Sequence, residues 1–249
     1  MKMSGNRIQI GIWQSIPQPM VSRYLAQMGW DWIILDMQHG PMNWETAYEC
    51  MHTIRASGAR PLVRTAIGIV AEVEKALDLG AGGVVVPMVN TVEAARALAR
   101  TAKYPPLGGR SLGGDNFLHY GADYPEKANE DTLLLVQMEH IEAVNNAEAI
   151  MALPGVDGCF VGPVDLALSM GLDRHTYEQH PDHRAAMKRI VEATLAAGKL
   201  PCCNTYTPED FAAKQEAGFR AITMRSDMDL LVGGGRELLG RLEKIAAGS

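Results

Sequence analysis

The sequence predicts a TIM-type (β/α)8 barrel, and three observations lead there. Eight short β-rich runs recur along 249 residues, helical stretches separate most of them, and most runs are continuously apolar, as in Val84-Val85-Val86 and Leu133-Leu134-Leu135-Val136. Such runs mark strands covered on both faces, as parallel strands inside a ring of helices are. The length suits one barrel over residues 1–249 better than two small domains.

In chain order the strands are expected at 8–13, 32–36, 61–64, 83–87, 132–137, 158–161, 200–203 and 221–224. Helices are expected at 70–79, 92–101, 142–152, 181–197 and 208–217. Thr91 and Thr207 are hydroxyl N-caps before acidic first turns, with Pro208 at the first helical position. Gly80, Gly198 and Gly218 follow helical stretches, where glycine closes the last turn. About 45 residues separate Pro87 from the next strand, and they include the glycine-rich segment from Tyr104 to Gly114. That segment is either a lid or binding loop, or a structural connection or oligomer contact.

Composition narrows the function. Apolar residues make up 47% of the chain, which excludes disorder, and 29 acidic against 23 basic side chains argue against a nucleic-acid partner. No apolar run reaches the roughly 18 residues of a membrane span, and the start from Met1 to Arg7 lacks the apolar stretch of a signal peptide. A cytoplasmic protein is expected. Cys50, Cys159, Cys202 and Cys203 have no CxxC spacing and read as reduced packing residues.

A barrel builds its active site at the C-terminal ends of its strands. The polar residues there are Asp36, Gln38, His39, Arg64, Gln137, Glu139, Asp165, Asn204 and Arg225. Glu139 and Asp165 follow neighbouring strands, so their carboxylates can converge on a hard cation such as Mg²⁺ or Mn²⁺, on a general acid–base reaction, or on structural ion pairs. His39 can exchange protons at the barrel mouth or cap the next helix. Arg64 can clamp a carboxylate, stabilise an enolate, or pair with a structural acid. Only Lys199 lies beside a strand, and at its start, so imine chemistry is disfavoured. Gly233-Gly234-Gly235 could cradle a phosphate, but its distance from the last strand and the intervening Asp227 and Asp229 favour a helix start.

These strand-end residues resemble the HpcH/HpaI aldolases, metal-dependent pyruvate aldolases. The matching segments are Trp32-Ile33-Ile34-Leu35-Asp36-Met37-Gln38-His39-Gly40-Pro41, Leu62-Val63-Arg64, Val86-Pro87-Met88-Val89, Tyr104-Pro105-Pro106, Val136-Gln137-Met138-Glu139 and Gly158-Cys159-Phe160-Val161-Gly162-Pro163-Val164-Asp165-Leu166. They run in family order to about residue 226.

The resemblance implies a phosphoenolpyruvate/pyruvate-type barrel that cleaves and forms 4-hydroxy-2-oxo acids, giving pyruvate and an aldehyde. It implies Glu139 and Asp165 as ligands of Mg²⁺ or Mn²⁺, with Co²⁺ or Zn²⁺ as alternatives. His39 would be the base, acting through a metal-bound water, and Asp78 the acid that makes it more basic; read without the resemblance, Asp78 is a helix-surface acid. Arg64, Gln137, Asp165 and the Val164 amide would bind pyruvate, with Asp36 and Gln38 behind them. Also implied is a homo-oligomer, commonly a hexamer, in which C-terminal helices pack on neighbours; the segment 237–245 could equally pack on its own barrel.

The chain departs from the family with Met37-Gln38 in place of glycine and glutamate, and His140-Ile141 where the family often reads Thr-Arg. Oxaloacetate decarboxylation or another pyruvate-enolate reaction is the alternative main task, and a non-catalytic binding paralogue a further one.

Overall fold

The computed structural model describes residues 7–114 and 116–247. Met1 to Asn6, most of the segment read for a leader, lie outside them. Eight parallel strands close into a barrel: β1 (Gln9–Gln14), β2 (Trp32–Asp36), β3 (Arg60–Arg64), β4 (Gly83–Val86), β5 (Leu133–Met138), β6 (Gly158–Val161), β7 (Leu200–Thr205) and β8 (Ala221–Ser226), each paired to its chain neighbour and β8 to β1. Every expected strand is present, with ends within two residues of expectation. No helix among the described residues is long and apolar enough to cross a membrane.

Two apolar layers explain the continuous runs. Trp13, Trp32, Ile34, Leu62, Leu135 and Phe160 fill the barrel interior, while Ile33, Leu35, Val63, Val84 and Val136 face the surrounding helices. Gly11 makes room for the inner layer, because a Cβ there would stand 2.4 Å from the Trp32 indole. Phe160 then meets Trp13 edge-on at 5.4 Å between ring centres. All four cysteines are free and buried.

The helix signals hold. Thr91 and Thr207 accept from the Ala94 and Asp210 amides at 3.2 and 3.1 Å, and Gly80, Gly198 and Gly218 all have positive φ. The helix expected at 142–152 is two short ones, Ile141–Asn145 and Ala147–Met151, broken at Asn146, whose side chain donates to the Asn90 carbonyl at 2.9 Å. Gly233 to Gly235 do not start a helix. Ser226 and Asp229 form a capping box that starts the last helix at Asp227, so the glycines fall inside Asp227–Ala246 and form no phosphate cradle.

The glycine-rich segment is a structural connection rather than a lid. Arg110 donates to Asp78 at 2.7 Å and lies over the Tyr104 ring at 4.7 Å, and the Gly109 amide bonds the Arg100 carbonyl at 2.7 Å. Lys103, almost wholly buried, ties the same region to Asp157 at 2.7 Å. These anchors hold the segment against the N-terminal side of the barrel.

Candidate active site

A cavity of about 280 Å³ opens at the C-terminal ends of the strands. Asp36, His39, Arg64, Gln137, Val164 and Asp165 all line it. Strand register explains part of this convergence, since Asp36 and Arg64 are partners across β2 and β3. Arg64 donates Nε to Asp36 Oδ1 at 3.0 Å and Nη2 to Oδ2 at 2.7 Å, while its guanidinium lies 4.3 Å from the centre of the Trp13 ring. Asp36 Oδ1 also accepts from the Gln38 and His39 amides at 3.1 and 3.2 Å. One buried carboxylate thus shapes the turn that carries His39 and aims Arg64, leaving Nη1 of Arg64 for a ligand. His39 is exposed at the rim. The next helix is capped by Asn43, which accepts from Thr46 at 2.9 Å, so His39 does not cap it. Gln38 is half-buried, with Oε1 unpartnered.

Glu139 sits just past β5, 2% exposed. Oε1 accepts from the Met88 amide at 3.0 Å and Oε2 from Gln137 Nε2. Burial pushes the Glu139 carboxyl above its ordinary range, opposed by the hydrogen bonds from Gln137 and Met88, and the Asp165 charge raises it further. Asp165 and Val164 lie in the first turn of the helix Pro163–Ser169, whose leading amides have no carbonyl ahead of them within the helix. Gly162 is required between these elements: a Cβ there would lie 2.4 Å from Glu139 Oε2.

These residues fit a divalent cation. The donors are hard oxygens, Gln137 Oε1 is buried with no partner, and the space a Gly162 side chain would occupy is kept for the Glu139 carboxylate. A cation would also offset the burial, and the smaller effect of the Asp165 charge, that raise the Glu139 carboxyl. Glu139 and Asp165 would supply two protein ligands, and no cluster of three or more His, Cys, Asp or Glu able to hold a metal occurs among the described residues. Substrate and solvent oxygens would complete the coordination of such a cation.

Asp78 does not join this site. It ends the helix Val70–Asp78, which runs back from the catalytic end, and its Oδ1 receives Arg110. The pairing with His39 is therefore not made within one chain, because strand end and returning helix end lie on opposite faces of the barrel. Sequence reasoning missed Trp13, which supports Arg64, and Met88, whose amide holds Glu139. Met88 has φ +56°, and nothing in an apolar Val-Pro-Met-Val run signals a left-handed residue.

Relatives share this architecture. The chain is 31% identical over 247 residues to a hydroxypyruvate/pyruvate aldolase of Roseobacter denitrificans, covering 96% of this chain and 94% of the relative. It is also 31% identical over 245 residues to a 4-hydroxy-2-oxo-heptane-1,7-dioate aldolase of Salmonella dublin, covering 96% and 92%. A solved HpcH/HpaI aldolase/citrate lyase family protein from Burkholderia cenocepacia superposes with a TM-score of 0.87 at 31% identity, covering 96% of each chain. The family profile for HpcH/HpaI aldolase/citrate lyase matches residues 9–221, from the first strand to the start of the last, and the chain belongs to this family of carbon–carbon lyases.

Proposed function

We propose that this protein is a divalent-metal-dependent pyruvate aldolase that cleaves and forms 4-hydroxy-2-oxo acids. The observation that carries the reading is the buried Glu139 carboxylate, held by Gln137 and Met88 beside Gly162 and next to the turn bearing Asp165. Glu139 and Asp165 hold the cation, with Mg²⁺ or Mn²⁺ best matched to two carboxylate oxygens. When bound, it supplies Lewis-acid stabilisation of an enolate.

The chain's own groups do the rest. The Val164 amide and Gln137 seat the 2-oxo acid's carboxylate, and Arg64, braced by Asp36 and Trp13, faces the C2 oxygen. His39 takes the proton from the 4-hydroxyl; the C3–C4 bond breaks, its electron pair forms the enolate, and the C4 oxygen becomes the aldehyde. Protonation at C3 releases pyruvate. Asp78, held by Arg110, takes no part within a chain. We assign the exposed apolar side chains of the last helix, including Leu238, Leu242 and Ile245, to contacts in a homo-oligomer.

Pyruvate release from a panel of 4-hydroxy-2-oxo acids tests the reading. It should vanish with chelator and return with Mg²⁺ or Mn²⁺; turnover that persists after full chelation would overturn it, and a higher kcat/KM for oxaloacetate than for every aldol substrate would make decarboxylation the main task.

A further inference from the structure

Arg225 lines the same cavity, yet the mechanism above does not use it. Its backbone has φ +56°, a left-handed conformation that side chains with a Cβ rarely adopt. The cause is a bulge. Gly11 pairs with Thr223 and Trp13 with Ser226, so one residue of β1 between these pairs faces two of β8, Met224 and Arg225. Bulges at barrel rims re-aim side chains beside active sites. The fold thus retains a costly conformation that presents an exposed guanidinium at the pocket mouth.

That guanidinium has no ion pair or hydrogen bond among the described residues. Asp229, which lines the same cavity, accepts on Oδ2 from the Ser226 amide and hydroxyl at 2.9 and 2.8 Å. Asn204 supplies a second donor. The Trp13 indole N–H can only donate, and it is shared between Thr223 Oγ1 at 2.9 Å and Asn204 Oδ1 at 3.1 Å; Asn204 Oδ1 also receives Thr223 Oγ1 at 2.9 Å. The Asn204 carbonyl is therefore the tethered arm, and the Nδ2 amide is the donor left to a ligand. Trp13 joins the two ends of the cavity, with its ring under Arg64 and its N–H shared by Thr223 and Asn204.

We propose that Arg225 and Asn204 recognise a second carboxylate, making Arg225 a specificity residue that selects 4-hydroxy-2-oxo acids whose aldehyde half is itself an acid. This rests on the aldolase reading for the orientation of the substrate. Arg64, neutralised by Asp36, serves the 2-oxo acid end, while the unpaired cation serves the far end.

Equilibrium binding tests this without turnover. Affinities of straight-chain 2-oxo diacids of five to seven carbons would be measured with Mn²⁺ present, each against the 2-oxo monoacid of equal length, in the wild type, Arg225→Gly and Arg225→Lys. Glycine accepts the left-handed backbone, so this variant should fold. The wild type should prefer the diacid at one length or more, and Arg225→Gly should reduce that preference about ten- to hundredfold, the usual loss for one charge-assisted contact. Lysine should restore part of it. A diacid preference that is absent from the wild type, or undiminished in Arg225→Gly, would overturn the proposal whatever the aldol assay shows. Inorganic phosphate that binds the wild type but not Arg225→Gly, with no diacid preference, would overturn it in favour of a free-anion site.

Discussion

Asp36 and Arg64 stand opposite each other on β2 and β3 and share two hydrogen bonds of 3.0 and 2.7 Å, in a pair less than 15% exposed on either side. The fork geometry fixes the guanidinium plane. Asp36→Asn removes the charge and one acceptor, so Arg64 loses its aim and His39 part of its turn. We expect kcat/KM for pyruvate release to fall about a hundredfold or more, in line with a lost charge-assisted contact at a reacting centre. Arg64→Lys should not preserve activity, since an ammonium cannot make the two-point contact. Steady-state kinetics on both variants checks this.

Metal binding should be visible without turnover. A ligand that binds only the native state raises the unfolding midpoint in proportion to RT ln(1 + [L]/Kd). Mn²⁺ or Mg²⁺ should therefore raise the wild-type Tm, and Glu139→Gln and Asp165→Asn should abolish the response. An undiminished shift in Glu139→Gln would place the cation elsewhere.

Gly162→Ala offers a narrower probe, because the added Cβ falls 2.4 Å from Glu139 Oε2 while Gly162 has φ −94°, which alanine tolerates. The carboxylate must move, and the Gly162 backbone need not. The expected outcome is a folded protein by circular dichroism with metal affinity at least tenfold weaker, read by calorimetry.

His183 gives a pH signature. It is 2% exposed, and its Nε2 lies 2.9 Å from the Pro163 carbonyl at the head of the turn that carries Asp165. Burial lowers its pKa below the ordinary 6.5. The unfolded chain thus takes up the proton first, so the stability owed to neutral His183 is complete above about pH 6.5 and is lost as pH falls through the lower folded value. Urea midpoints measured from pH 7.5 to 5 should decline, and His183→Gln should flatten that decline.

The last helix, Asp227–Ala246, buries only Asp227, which accepts from the Ser15 and Ile16 amides at 2.9 Å each. Leu238, Leu242 and Ile245 are all more than half exposed. Leu238→Lys combined with Leu242→Lys should lower the molar mass seen by light scattering toward that of the monomer while leaving far-ultraviolet circular dichroism unchanged. An unchanged mass would count against the oligomer contact.

The fold was legible because its signals are local. Continuous apolar runs, hydroxyl caps and glycine stops each act within one or two turns, so the eight strands and most helix ends can be read in order. The same holds for the residue types at the strand ends, which is why Asp36, His39, Arg64, Gln137, Glu139 and Asp165 could be named before any coordinates.

Other features depend on distant partners. Glycines 233–235 read as a helix start until the capping box of Ser226, seven residues before Gly233, is seen, and the pairing of Asp78 with Arg110 is made by residues 32 positions apart. By itself the sequence determined a (β/α)8 barrel, its family and the residue types at its rim. Only the tertiary structure decided that Trp13 braces Arg64, that the Met88 amide holds Glu139, and that a bulge between β1 and β8 turns Arg225 to the cavity. The reason is physical: a side chain's identity belongs to the chain, but its direction and its charge partner are set by register and packing between residues far apart in sequence.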